Sequence, residues 1–312
     1  MLARIANSLF WMGRYLERSE HLSRYAKEIY FSALDSPIVE SSEKSFVLES
    51  MLYMVGMFEV QEINEEQILH AIGTDKENGK SIVSAIISAR ENARGSRDML
   101  SSDMWQAINK YYHYANEYNE KKFVTTGLYE FTQSCMEQAN NVKSKLQSTM
   151  LQDDVWAIIQ LGIHIERGLQ IIRIINSKLH DIYKLENAGI EVTHLSYEWS
   201  TLLRCTESFD MNRKFYKKIP NKNQVLEFLF LNQKCPRSIT HCLANIEYYL
   251  NEISLEKTHL SDSPEFGIGK LVCQYRYTVI EDIDANVYDW LNNTQNALLD
   301  ISSKIEKTYL DF

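Results

Sequence analysis

Apolar residues recur in a helical rhythm almost from the first position. Leu2, Ile5, Leu9, Met12, Leu16, Ser19, Ser23 and Ala26 are separated alternately by three and four residues, most of them apolar. That spacing puts them on one stripe of an α-helix. Phe10 and Trp11 widen the stripe, so a first helix is predicted to about Tyr30, with Asp35, Ser36 and Pro37 breaking it. The same reading predicts helices over 45–58, 82–100, 105–118, 129–146, 155–185, 195–209, 224–231, 238–253 and 271–305. The predicted breaks, at 73–79, 151–154, 188–193, 217–223 and 261–269, are short, as connections in helical bundles are.

Composition removes the competing fold classes. The 312 residues include only 11 glycines and 4 prolines, and no proline occurs between Pro37 and Pro220. Sandwiches, barrels and doubly wound sheets draw their tight turns from those two residues, so an all-α helical bundle is what remains. The length suggests two units. Hydrophobic residues at 45% and charged residues at 24% allow a large core. A net charge of −9 argues against a nucleic-acid partner, which requires clustered Lys and Arg. No apolar run approaches the length of a membrane span. Arg4, Arg14, Glu17 and Arg18 interrupt the apolar pattern that a signal peptide would need. The five cysteines, Cys135, Cys205, Cys235, Cys242 and Cys273, are odd in number and none has C-x-x-C spacing. Reduced thiols in a cytoplasm are expected, without a disulfide framework or zinc site.

A repeat sharpens the division into units. Gly13-Arg14-Tyr15-Leu16-Glu17-Arg18, followed by Arg24, recurs as Gly162-Ile163-His164-Ile165-Glu166-Arg167, followed by Arg173. The offset from Gly13 to Gly162 is 149 residues, near half the chain. A weaker echo pairs Ser50-Met51-Leu52 with Thr201-Leu202-Leu203. Two related helical halves, 1–150 and 151–312, packed as one unit, are the expected organisation.

The repeat also carries charges on the wrong side of its helix. At about 100° per residue, Glu20 lies roughly 40° from Leu16, Gly13 about 60°, Arg24 about 80° and Glu17 about 100° on the same flank. The border of the buried stripe therefore holds a glycine, two carboxylates and an arginine. Gly162, Glu166 and Arg173 occupy that sector in the second copy, with Leu169 replacing Glu20. A glycine there lets another helix approach and desolvate the carboxylate four residues on. In the helix over 82–100, Arg90 and Arg97 stand on the seam Val83, Ile86, Arg90, Ala93, Arg97, Leu100. Buried guanidinium groups need anions, and Glu17, Glu20 and Glu166 are the expected ones. The candidate polar or anion site thus comprises Arg14, Glu17, Arg18, Glu20, Arg24, Arg90, Glu91, Arg97, Glu166, Arg167, Arg173 and Arg237. Arg237 joins because Pro236-Arg237-Ser238 reads as a helix start able to hold an anion. A structural network, an anion or metabolite site and a catalytic site all remain open on these residues.

Other chemistry is weaker. A di-iron bundle would need Glu-x-x-His on two helices, and Glu17 is followed at that spacing by Glu20, Glu166 by Leu169. His164 reads as a packing or solvent-edge histidine. Tyr111, Tyr112, Tyr114 and Tyr118 form an aromatic helix surface that lacks the basic patch of a base-stacking platform. Glycine-rich phosphate loops and the G-x-S-x-G elbow are absent. No cofactor and no metal are expected.

These motifs together resemble the bacterial alpha-E family. The resemblance rests on Leu9 through Glu20, on Ala89-Arg90-Glu91-Asn92-Ala93-Arg94 with Arg97-Asp98, on Ser101 through Trp105 to Asn109, and on Phe228-Leu229-Phe230-Leu231 with Cys235-Pro236-Arg237-Ser238. The chain departs from the family pattern at Ile163-His164, where an Arg-Tyr pair is typical, and at Asp103, where Glu is usual. The resemblance implies a helical protein encoded beside, or fused to, a circularly permuted ATP-grasp protein and transglutaminase-like peptidases. It implies a role as accessory or partner subunit of an amide- or peptide-ligase system, binding its partner or an acidic peptide or metabolite. An enzyme using Glu17 and Glu166 as acid or base beside Arg90 and Arg97, and a scaffold without ligand, are the alternatives. Neighbouring arginines would oppose the rise in carboxyl pKa that acid–base chemistry at neutral pH needs, which favours binding.

Overall fold

Ser and Asn side chains start many of the helices. Asn64, Ser81, Ser101, Asn221, Ser238 and Ser263 each accept a hydrogen bond from the backbone N–H three residues on. Each such cap is worth about 1 kcal/mol against an alanine. The computed structural model describes residues 2–34, 42–54, 64–187, 189, 192–254 and 260–310, which form helices with no strand among them. In order these are α1 (Ala3–Leu34), α2 (Ser42–Met54), α3 (Glu65–Gly73), α4 (Ile82–Gly95), α5 (Ser102–Asn116), the single turn α6 (Glu120–Lys122), α7 (Leu128–Thr149) and α8 (Asp154–Asn187). There follow α9 (Val192–Cys205), α10 (Phe209–Tyr216), α11 (Lys222–Leu231), α12 (Ile239–Ile253), α13 (Pro264–Arg276), α14 (Ile280–Ala285) and α15 (Val287–Ile305).

The two long helices α1 and α8 form the axis of the molecule. They run parallel, since Arg18 meets Glu166 and Tyr25 further along meets Ser177. Two glycines set the closeness of the pair. A Cβ on Gly13 would stand 2.5 Å from the Ile159 carbonyl oxygen, and one on Gly162 would overlap the Phe10 carbonyl oxygen. Around this axis α4 and α7 pack on α1, while α12 and α15 pack on α8. One hydrophobic cluster runs through both halves of the chain, from Leu9 and Phe10 through Ile159 and Ile165 to Leu298 and Ile301.

The structure corrects several expected boundaries. The single helix expected over 271–305 is three, because Thr278, Val279 and Ile280 are consecutive β-branched residues that resist a helical turn. The Asp282 carboxylate accepts from the Val279 N–H there, and Asn286 breaks the chain again at φ −149°. The expected break at 261–269 ends early, at Pro264, which occupies the first turn of α13. Helix α4 stops at Gly95, and Arg97–Met99 form a 3₁₀ turn. The helix expected over 195–209 stops at Cys205, where Glu207 turns into the left-handed region at φ 55°. Positions 35–37, 55–58, 188 and 190–191 of the expected elements lie outside the described residues.

Candidate functional site

Two Glu-Arg dipeptides occur in the chain, Glu17-Arg18 and Glu166-Arg167. They exchange partners across the α1–α8 contact. Arg18 donates from Nε to Glu166 Oε1 at 2.7 Å and from Nη2 to Oε2 at 3.0 Å, while Arg167 Nε reaches Glu17 Oε1 at 2.6 Å. The glycine four residues before each glutamate brings the two backbones close enough for this reciprocal fork. Glu166 also accepts from Arg14 Nε at 3.0 Å and from Gln170 Nε2 at 2.8 Å, and Arg14 donates onward to Ser302 Oγ of α15.

A second centre surrounds Glu17 and Glu20. Lys143 of α7 sits 2.5 Å from Glu17 Oε2 and also pairs with Glu20. Arg237, immediately before α12, spans Glu17 Oε1 at 3.1 Å and Glu20 Oε1 at 3.0 Å, and pairs with Glu207. Arg24 joins Glu20 at 2.5 Å and Glu207 at 3.0 Å, and His21 Nε2 lies 3.1 Å from Glu17 Oε1. Glu17, Glu20 and Glu166 are all fully excluded from solvent.

Their electrostatics follow from that enclosure. Burial by itself would raise the Glu17 carboxyl, but Arg167 and Lys143 outweigh it and hold it well below the usual range. At Glu20 the same opposition is won by Lys143 and Arg237, and at Glu166 by Arg18 and Arg14. Burial lowers the pKa of His21 and, more strongly, of His164, which stacks on Tyr249. The native state therefore binds fewer protons than the unfolded chain at all five groups. Stability is complete above the unfolded histidine pKa of about 6.5, begins to fall below it, and falls more steeply below about 4.3, where the unfolded carboxylates take up protons. Urea titrations at stepwise lower pH are expected to show this two-stage decline; a stability that is flat between pH 7 and pH 4 would contradict it.

Nine of the twelve expected residues behave as a set. Arg14, Glu17, Arg18, Glu20, Arg24, Glu166, Arg167 and Arg237 belong to the paired network, and Arg173 borders it. Arg90, Glu91 and Arg97 do not meet Glu17, Glu20 or Glu166, so the expected pairing is corrected. Arg90 stacks over Tyr112 and Trp105, at 5.1 and 5.8 Å, donates to Asn109 Oδ1 and pairs with Glu91 on its own helix. Arg97 lies 5.4 Å over Trp105 and donates to the Leu100 carbonyl. Aromatic faces take up both charges, with the Glu91 carboxylate adding to them at Arg90. Tyr111 is buried and donates to Ser19 Oγ; Tyr112, Tyr114 and Tyr118 pack against the core. Sequence reasoning missed Lys143, His21 and Glu207. His21 stands four residues after Glu17, a legible signal, but nothing local marks Lys143 or Glu207 as buried-cluster partners.

Among the described residues no group of His, Cys, Asp or Glu is arranged to hold a metal ion, and no helix is long and apolar enough to cross a membrane. The fold and its centre define an all-helical protein whose two longest helices are joined by exchanged Glu-Arg pairs. The chain belongs to the Alpha-E family, described as a predicted alpha-helical domain with a conserved ER motif, which it matches over residues 1–310. The two dipeptides at the α1–α8 contact are the ER pairs of this chain. It is similar to an uncharacterized protein of Mycobacterium bovis and to two of Mycobacterium tuberculosis, at 22% identity over 98% of this chain. The chain spans 37% of the length of these relatives. No solved structure matches it.

Proposed function

We propose that this chain is a non-catalytic accessory or partner subunit of an amide- or peptide-ligase system, working beside an ATP-grasp ligase and a transglutaminase-like protein in the cytoplasm. The observation that carries the non-catalytic part is the saturation of the signature carboxylates. Glu17, Glu20 and Glu166 are each paired with two or more cations and held ionised. A general acid needs a pKa near the working pH, and a base needs an open lone pair beside its substrate. None of the three offers either. The network's role in this reading is to lock two helical halves, copies of one ancestral bundle, into a rigid unit that presents a surface to a partner or an acidic peptide or metabolite. The reciprocity of Glu17–Arg167 and Glu166–Arg18, at a constant offset, supports the duplication. The length of the relatives beyond the matched region fits a component that works next to other domains.

Affinity-tagged chain, expressed with the ATP-grasp protein encoded next to it, is expected to retain that protein through gel filtration and to change its ligase turnover. Turnover by the isolated chain, or independent elution of the two with unchanged ligase rates, would overturn the reading.

A further inference from the structure

Arg173 is the one member of the repeated signature without a partner. Among the described residues, Arg14 and Arg18 both reach Glu166, whereas Arg173, two turns further along α8, makes neither an ion pair nor a hydrogen bond. Three guanidinium groups thus share a neighbourhood with one carboxylate. Burial, reinforced by the like charges of Arg18 and Arg14, lowers the Arg173 pKa, and the pull of Glu166 does not offset it. An unpaired, largely desolvated arginine is costly to a fold, and apolar or neutral residues of similar size would be cheaper. The fold keeps it at the wall of a cavity.

That cavity, about 570 Å³, opens between α1, α2, α8 and α15 beside the turn before α4. Arg18, Arg173 and Lys80 give it positive charge, and no carboxylate is among its described lining residues. Arg18 spends its Nε–Nη2 edge on Glu166, which leaves Nη1 for the cavity. Gln170, Asn176, Asn292 and Gln295 supply amides around the cations. Gln170 donates its NH₂ to Glu166, while its Oε1 is buried with no donor. Among the described residues, the cavity therefore lacks two things: an anion for Arg173 and an N–H or O–H for Gln170.

We propose that this cleft binds a small metabolite that carries an oxyanion, carboxylate or phosphate, together with a hydrogen-bond donor, and that Arg173 is its anchor. The oxyanion bridges Arg173 and the free Nη1 of Arg18, with Lys80 at the mouth, and the donor meets Gln170 Oε1. A planar guanidinium matches both oxyanions with paired N–H groups, so charge and geometry select the anion while the amides select what it is attached to. The volume lies within the range of about 300–1,000 Å³ usual for small-molecule sites. The signature arginine seven residues after each glutamate thereby divides in role: Arg24 closes the network on Glu20 and Glu207, and Arg173 is left for ligand. The site goes beyond the accessory-subunit reading and stands without it, since it needs no partner protein.

Titration of the full chain with citrate and with inorganic phosphate, against sodium chloride at matched ionic strength, tests it by calorimetry and thermal unfolding. Either probe is expected to bind saturably and raise Tm beyond the chloride control; tighter citrate marks a carboxylate ligand, tighter phosphate a phosphate ester. Arg173→Gln is expected to weaken that binding at least tenfold while leaving the ligand-free Tm equal or higher, because an unpaired charge has been removed. Asn292→Asp, which places a carboxylate in the cleft, is expected to weaken binding in the same way. No saturable binding of either probe overturns the proposal. So does an Arg173→Gln chain that binds both probes as tightly as the parent, or one whose ligand-free Tm falls sharply, since Arg173 would then be a structural residue.

Discussion

Glu166→Ala is expected to destabilise the protein by about 3–5 kcal/mol, the cost of breaking a buried ion pair by removing one partner. The carboxylate it deletes is fully buried and is the shared acceptor of Arg14, Arg18 and Gln170. Without it, Arg14 and Arg18 stand beside each other and near Arg173 with no counter-charge, and water reaches Arg14 poorly at 5% exposure. A domain's net stability is about 5–15 kcal/mol, so the loss is a large part of the whole. Glu166→Gln should cost nearly as much, since the neutral amide keeps the shape but brings an NH₂ toward two cations. The pairing with Met at both ends, Glu166→Met with Arg18→Met, should recover part of the loss, because it removes the Arg18 charge together with its acceptor and leaves Arg14 as the one guanidinium of the pair without its counter-charge. Urea midpoints of the four proteins measure this. A single-variant loss below about 1 kcal/mol would mean the pair behaves as a surface salt bridge, contrary to its enclosure.

Gly162→Ala should be the other severe substitution, and its sign runs against helix propensity. In an open helix interior, alanine is favoured over glycine by about 1 kcal/mol. Here the new Cβ would overlap the Phe10 carbonyl oxygen and crowd the Arg14 backbone nitrogen at 3.3 Å. Both neighbours are backbone of α1 and cannot rotate away, so the two helices must part, and the Arg18–Glu166 fork a turn further along stretches with them. Overpacking of a tight core costs about 1–3 kcal/mol even where side chains can adjust. With backbone on both sides, a loss of about 3 kcal/mol or more is expected, read as a drop in Tm of about 6 °C or more for a chain of this size. Gly13→Ala, facing the Ile159 carbonyl oxygen at 2.5 Å, should behave alike. Gly79→Ala is the control: a Cβ there meets nothing within 4 Å, and a change within about 0.5 kcal/mol is expected. A Gly162→Ala protein as stable as the parent would show that α1 and α8 are not held at glycine contact.

Both predictions join a local signal to a tertiary one. The helical period of Leu2 to Ala26 and the scarcity of glycine and proline were enough for the fold class, because amphipathic spacing depends only on neighbours within a few residues. The depth of Glu17, Glu20 and Glu166 was legible too: each sits at the edge of an apolar stripe, four residues past a glycine or beside one that is. Their partners were not. Arg90 and Arg97 stand on the seam of their predicted helix, whereas Arg18 lies about 160° from Leu16 and Arg167 as far from Ile165, and the choice between them turns on which helix faces which. Trp105 and Tyr112, which take up Arg90 and Arg97, lie in a different helix and come within reach through the α4–α5 corner.

The helices and the buried side of each belong to the sequence, since propensity, capping and periodicity act over one or two turns. Which charges meet belongs to the tertiary structure. The parallel register of α1 and α8 is chosen by backbone contact at Gly13 and Gly162, and that choice puts Arg18 on Glu166 and Arg167 on Glu17. Lys143 and Glu207 enter only because α7 and the turn after α9 close over α1. The packing of α1, α2 and α15 around α8 leaves Arg173 facing a cavity while its counterpart Arg24 is paired. Coulomb attraction falls off with distance and depends on burial, so these partnerships exist only after packing has set distance and solvent access, and no spacing along the chain encodes either.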